Sequence, residues 1–367
     1  MHTEYGKKMM KQFQLIVAVF LMAAVSARAQ KIKVVDSDGN GIHLVSVLTE
    51  DGNMIGTTSL EGVIADVKGA KKLVLTHVAF KPQLVDVASL KDGVVTMEDI
   101  DYSLAEVVVK PKPYVYVETF YRVYAYINDS LRYYCAGIMP NTYDPQKKKV
   151  KQGSYLDCVG EFSPSTGVAV TWGARMQRFH AGGINKSGAI DILKGGHSRD
   201  YYFITLTDEG EGRQRVSNPE GTVGFIETEK NEVHMMLDAG KIQMYRNKAL
   251  GQDRVLKGRE KTEYDYEFNE IFTLDEEGNS TVADLVMYSN HWEWNGSNGR
   301  RKFIIETYAT ERSYMDAKEF KAKKKELRGT YKSLMTLDQL ESYATSHNIP
   351  ALAPSVRKAI EGLPKKK

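Results

Sequence analysis

The side chains with the most chemical potential are two cysteines, eight histidines and a few paired acids. Their spacing restricts what each can do. Cys158 could act as a nucleophile with His180 as its base, but the residues around it carry no local signature of a cysteine hydrolase. The expectation for Cys135 and Cys158 is therefore either a disulfide or two inert thiols. A bridge closing that loop would add about 3 kcal/mol on the chain-entropy account. No histidine has a second one within four residues, so the H-E-x-x-H arrangement that sets two imidazoles on one ion is missing. His291-Trp292-Glu293 lacks the cysteine pair of a deaminase-like zinc site. Gly182-Gly183-Ile184-Asn185-Lys186-Ser187 lacks the glycine that precedes the lysine of a phosphate loop, and no G-x-S-x-G elbow is present.

Three weaker constellations remain. Asp36, Asp38, Asn40 and Gly41 match the opening of a calcium loop. Val47 stands where the bidentate glutamate belongs and strand patterns flank the segment, so a glycine-rich β-turn is expected instead. Asp265 with Glu267, and Glu267 with Asn269, share one face of a predicted strand and could do general acid–base work. Acids also cluster in structural ion networks, which is the expected reading. Trp292 and Trp294 share a strand face by alternation. They are candidate ligand-binding residues that would stack on a sugar ring or lipid head group, with a core cluster as the alternative. No catalytic residue, metal site or cofactor is expected.

The elements that must position these residues begin after a segment resembling an export signal. Lys7, Lys8 and Lys11 precede an apolar run from Leu15 to Val25, then Ala27-Arg28-Ala29 before Gln30, the pattern of a secretory signal peptide over residues 1–29. Met9 or Met10 would serve equally well as the start. The run is too short for the roughly 20 residues of a membrane-spanning helix. No cysteine stands after it to accept a lipid, and the chain ends in Lys365-Lys366-Lys367 rather than in an amphipathic barrel strand. A periplasmic or secreted location is expected. Without the signal, basic and acidic residues balance at 46 each, so no bulk attraction to nucleic acid arises.

Residues 30–109 read as short alternating strands separated by glycine turns, the pattern of a β-sandwich. Asp51-Gly52 and Glu61-Gly62 mark turns, and Lys72 to Val78 is rich in β-branched residues. Val35-Asp36 with Gly39 and Gly41, Gly56-Thr57-Thr58, Glu61-Gly62, Val78-Ala79-Phe80 and Leu104-Ala105-Glu106-Val107-Val108-Val109 resemble the carboxypeptidase-regulatory-like domain of Gram-negative envelope proteins. The resemblance covers about a fifth of the chain. It implies a transthyretin-like β-sandwich with no catalytic residues of its own. In TonB-dependent receptors that domain precedes a plug and a large barrel, which the remaining 258 residues would not hold. Asn128-Asp129-Ser130, Tyr133-Tyr134 and Gly137-Ile138 resemble the region C-terminal to this domain in other envelope proteins of unassigned function.

Lys110-Pro111-Lys112-Pro113 is a stiff linker over residues 110–113. Beyond it, Tyr114 to Ile127 carries apolar side chains on both alternating faces, and its β-branched and aromatic content favours a long buried strand over a helix. Further strands are expected at 131–138, 155–162, 167–172, 201–207, 222–227, 233–237, 241–245, 264–274, 281–288 and 302–308. Together, residues 114–311 suggest an antiparallel β-barrel or half-barrel. Helices are expected only in 312–367. Ser313 with Asp316 fits a capping box ahead of 317–327, Thr336 with Gln339 fits another ahead of 337–346, and Pro354 opens a third helix that Gly362 closes. Lys318, Lys321, Lys323, Lys324, Lys325 and Arg328 outnumber Glu319 and Glu326 on the first. They could touch an anionic membrane surface, and a solvated face is the simpler reading.

The expected fold is thus mainly β: a transthyretin-like sandwich, a larger antiparallel domain and C-terminal helices. The expected function is that of a non-catalytic envelope binding or scaffolding protein, whose partner is another envelope protein, a lipid or a glycan. A periplasmic carrier and an envelope hydrolase are the alternatives.

Overall fold

The computed structural model describes residues 31–100, 102, 112–152, 157–162, 203–251, 264–296, 299–327 and 335–363. The signal-like segment, the strand expected at 167–172, His180, the sequence 182–187, Arg328 and the terminal lysines lie outside the described residues, as do the side chains of Cys158 and Asp265.

The N-terminal lobe holds seven short strands: β1 (Ile32–Val35), β2 (Ser46–Leu48), β3 (Met54–Thr57), β4 (Val63–Ile64), β5 (Lys72–His77), β6 (Phe80–Asp86) and β7 (Val94–Thr96). They form a three-stranded sheet, β4-β1-β7, and a four-stranded sheet, β3-β2-β5-β6. A single apolar cluster including Ile32, Val34, Val47, Leu73, Leu75 and Val95 belongs to both sheets, as alternating inward residues require. One turn needs its glycine: Gly62 has φ +74°, and a Cβ there would lie 2.3 Å from the Val34 carbonyl oxygen.

The rest of the chain builds one large antiparallel sheet. Its strands are β8 (Tyr114–Ile127), β9 (Ser130–Asp144), β10 (Lys149–Gln152), β11 (Asp157–Phe162), β12 (Thr205–Gly210), β13 (Arg213–Asn218), β14 (Gly221–Glu229), β15 (Glu232–Asp238), β16 (Tyr264–Thr273), β17 (Leu285–Gly296) and β18 (Gly299–Met315). The spatial order runs β10-β9-β8-β18-β17-β16-β15-β14-β13-β12, with β11 also on β9. Among the described residues no pairing joins its two ends, so the sheet is open and no closed barrel forms.

Both faces of β8 are buried, as its composition demanded. Val117, Tyr121, Val123 and Ala125 join the cluster of one face with Val216, Ile226, Met235 and Phe303. Phe120, Tyr124 and Tyr126 join the other, which also takes in Leu48, Met54 and Val74 of the lobe and Leu340, Val356 and Ile360 of the C-terminal helices. Lobe, sheet and helices therefore share one continuous core. Asn128 and Asp129, at φ +47° and +67°, make the two-residue turn between β8 and β9, the geometry that matches strand twist. That turn also ties the lobe down, because the Asp129 carbonyl accepts from Met54 N–H at 2.7 Å.

Several boundaries depart from the sequence reading. The strand expected at 241–245 is a helix, α1 (Ala239–Ala249), because the Asp238 side chain caps Lys241 N–H at the end of β15. Strands β10 and β13 carry few apolar residues and gave no alternation to read. Residues 282–284 form a 3-10 turn instead of opening a strand, with Thr281 and Asp284 in a capping box. The first C-terminal helix, α2 (Ala317–Glu326), is capped by Asp316 with Glu319, one box later than Ser313 with Asp316, since β18 runs on through Met315. Helices α3 (Leu337–Ser346) and α4 (Pro354–Glu361) start at Thr336 with Gln339 and at Pro354 as read. Thr336→Ala is expected to cost about 1 kcal/mol, measured by urea denaturation, because it removes the acceptor for Gln339 N–H.

Candidate functional site

The polar residues of the molecule converge where the lobe meets the middle of the sheet. His43 follows β1 and His77 ends β5, and both imidazoles are buried against β16. Glu267 and Asn269 project from the same face of that strand, two residues apart. His43 Nε2 lies 2.8 Å from a Glu267 carboxylate oxygen. The acceptor-only carboxylate fixes the proton of neutral His43 on Nε2, leaving a lone pair on Nδ1, and that Nδ1 is buried without a hydrogen-bond partner.

Asn269 bridges two more imidazoles, His77 Nε2 at 3.0 Å and His234 Nε2 of β15. Ala79 N–H donates to His77 Nδ1 at 3.1 Å, so neutral His77 carries its proton on Nε2. The Asn269 carbonyl oxygen then belongs against His77 and its NH2 against His234. A fourth imidazole, His291 on β17, contacts Ser289 Oγ through Nε2 at 2.9 Å. Beside it Lys302 of β18 is buried, with its ammonium 2.9 Å from Thr57 Oγ1 and 3.5 Å from Glu293.

Burial governs the protonation of this junction. It lowers His43 from 6.5 to about 3, helped by His234 and Lys241, and lowers His77 to about 3, helped by His234 and His43. His234 is lowered by burial. His291 falls well below the usual imidazole range through burial and then Lys302, His77 and His43. Burial also lowers Lys302, against the pull of Glu293. For Glu293, burial raises the carboxyl, and Arg300 and Lys302 more than reverse it. Burial thus disfavours the charged form of all four histidines.

Next to the histidines opens a cavity of about 300 Å³ walled by both parts of the chain. The lobe contributes the Asp36–His43 turn, Phe80, Asp99 and Tyr102, and the sheet contributes Glu227, Glu229, Glu232, His234, Met236 and Met287. Asp36 behaves as the turn residue expected: its Oδ1 accepts from Asp38 N–H at 2.9 Å and Asn40 N–H at 2.8 Å. The same turn sets Asp36 and Asp38 on the cavity edge. Asp99 is pushed up by burial and then by Asp36, Asp38 and Glu229, and Glu232 by burial and Glu229. Among the described residues no three His, Cys, Asp or Glu side chains are grouped to hold a metal ion.

The residues singled out from the sequence divide between this junction and the opposite face. Glu267 and Asn269 stand at its centre as hydrogen-bond partners of histidines. Trp292 and Trp294 pack partly buried against the far cluster, Trp292 edge-on to Tyr266 at 5.2 Å and Trp294 stacked on Phe303 at 5.2 Å. Their surroundings are those of a core cluster. Cys135 faces Gly160 and Cys158 faces Gly137 across β9 and β11, which makes the cysteines diagonal neighbours, about 7–8 Å apart at Cα. A disulfide usually spans 4.4–6.8 Å, so a bridge would require local strand movement. On α2, Lys323 lies over the Tyr116 ring at 4.4 Å and Lys324 over Phe320 at 4.9 Å, while Lys318, Lys321 and Lys325 are exposed.

The histidines escaped the spacing argument because each comes from a different strand or turn. The readable signal was an isolated histidine within an apolar strand, as in Val233-His234-Met235-Met236, where one polar side chain must find a buried partner. No protein-family model matches the chain, and no curated protein sequence matches it. No helix among the described residues is long and apolar enough to cross a membrane.

Proposed function

We propose that the protein is an exported, non-catalytic binding protein of the cell envelope whose ligand occupies the cavity between lobe and sheet. The observation that carries this reading is the double wall: neither the lobe nor the sheet makes the cavity alone. Sites of this kind occur preferentially at domain junctions. The carboxypeptidase-regulatory-like resemblance of residues 30–109 fits the seven-stranded lobe. On this reading the lobe positions one wall of the site. The shared core on the other side holds the two parts in fixed relation, as a scaffold must.

Native mass spectrometry of the mature protein, isolated from the envelope without detergent, tests the reading. Extra non-covalent mass that disappears when the lobe wall is altered supports a ligand site at the junction. A bare protein that takes up no small molecule, or one paired only with another protein, opposes it. A second reading, an envelope hydrolase, is favoured by the convergence of carboxylates on the same cavity. It predicts cleavage of the bound species over hours, whereas a binding protein returns it unchanged.

A further inference from the structure

We propose that the protein forms a symmetric dimer in which β6 of one copy pairs antiparallel with β6 of a second copy, centred on Leu84. This dimer stands apart from the ligand reading, because it uses the outer edge of the lobe. In the four-stranded sheet β6 is an end strand whose neighbour is β5. The register fixes where its backbone groups point: Val87 N–H donates to the Lys71 carbonyl at 2.8 Å, and Leu73↔Val85 and Leu75↔Gln83 continue that alignment in steps of two. Hydrogen-bonded and non-bonded pairs alternate in an antiparallel ladder, so Pro82, Leu84 and Asp86 turn their backbone groups outward. The edge is bounded at both ends. The Glu98 carbonyl takes Lys81 N–H at 2.8 Å, and at Val87 the chain enters a 3-10 turn, Val87–Ser89. Among the described residues the free stretch is Pro82–Asp86, symmetric about Leu84.

A two-fold axis at Leu84 sets Leu84 opposite Leu84 and Pro82 opposite Asp86. Leu84 N–H and C=O then exchange bonds across the axis, and Asp86 N–H donates to the Pro82 carbonyl of the other copy. Proline has no N–H to return, which would leave the Asp86 carbonyl without a donor. That carbonyl is already satisfied, accepting from Ser89 Oγ at 2.7 Å. Every outward donor and acceptor of the stretch is therefore paired in this register. Sliding by two residues either sets the Leu84 carbonyl against proline or runs Pro82 into the 3-10 turn. The side chains fit the same axis. Leu84 is 59 % exposed, although its cross-strand neighbour Val74 is buried in the core shared with α4. Leu84, Pro82, Val74, Ala353 and Pro354 line a groove of about 230 Å³, and the axis brings two leucines and two such grooves together on one face of a continuous sheet. Charge matches as well: Lys81, ion-paired with exposed Glu98 in its own copy, stands one step along the seam from Asp86 of the other, at both ends. Because the pairing is isologous, association stops at two.

The test is sedimentation velocity of the full mature chain across a range of concentrations, with Leu84→Lys and Leu84→Pro as variants. Concentration-dependent conversion of monomer to dimer is expected. Leu84→Lys sets like charges opposite each other, and Leu84→Pro removes only an outward N–H. Each should weaken dimerisation at least about 10-fold while keeping the urea midpoint near that of the native chain, since neither takes a bond from within the copy. Oxidation reads the register. Leu84→Cys places two sulfurs on a bonded pair about 5.5 Å apart at Cα, within the span of a disulfide, so it should crosslink between copies faster than Gln83→Cys or the native chain. A chain that stays monomeric at every concentration, a dimer that Leu84→Lys leaves unchanged, growth into open filaments, or equal crosslinking by the two cysteine variants would overturn the proposal.

Discussion

Replacing Arg122 with methionine is expected to lower the unfolding free energy by about 3–5 kcal/mol, the largest single effect that the fold predicts. Arg122 is 2 % exposed in the middle of β8. Its Nη2 donates to both Glu341 oxygens of α3 at 2.9 and 2.8 Å, and its Nη1 donates to the Pro350 carbonyl at 2.8 Å. Glu341 also accepts from Leu352 N–H at 3.2 Å, and Glu306 of β18 lies 4.0 Å from the guanidinium. One cation thus compensates two buried carboxylates and a loop carbonyl. Burial already raises Glu306, with Arg122 pulling against it, so loss of the guanidinium leaves negative charge in a medium that cannot solvate it. Urea denaturation gives the magnitude. Hydrogen exchange should show α3 and α4 losing protection before the central strands. Arg122→Met/Glu341→Leu should recover much of the loss, since removing both partners of a buried pair is far cheaper than removing one. A loss below about 1 kcal/mol would mean that water reaches the carboxylates.

That bridge also shows where reading the sequence stops. Arg122 and Glu341 stand 219 positions apart, and no local pattern connects them. Elements whose instructions are local were legible. The alternating double-faced run of β8, the Thr336–Gln339 box and the Pro354 start all lie within a few residues of the structure they specify. Helix α1 was not legible, because Lys241 to Tyr245 alternates polar and apolar residues while the deciding cap, Asp238, closes the preceding strand. Sheet closure was not legible either, since whether a row of strands ends open depends on pairings between its two edges. The site lay between these cases. Glu267 and Asn269 could be placed on one strand face, but their partners His43, His77 and His234 arrive from the lobe and a neighbouring strand.

Those partners make stability fall steeply as the medium is acidified from neutrality toward pH 5. His43 and His77 titrate near 3 in the folded chain and near 6.5 when exposed. Between those values the unfolded chain binds protons that the folded chain refuses, so each unit of acidification favours unfolding. Above 6.5 neither state is protonated and stability is at its plateau; the loss is complete only near pH 3. At pH 5 each histidine costs about 2 kcal/mol relative to neutrality, about 4 kcal/mol for the pair. His234 and His291 are lowered as well and add in the same direction. Asp99, Glu232 and Glu306 are raised and oppose it, because their folded carboxyls take up protons first. The interval between pH 7 and 5.5 is where exposed histidines take up their protons and the buried ones do not. Urea midpoints measured across that interval should fall for the native chain and fall less for His43→Gln/His77→Gln, whatever the variant's starting stability. An unchanged slope would place the proton uptake elsewhere. Because both histidines belong to the lobe and face the sheet, the first cost of acid is borne by the junction. Lobe release should therefore precede melting of the sheet core, opening the cavity.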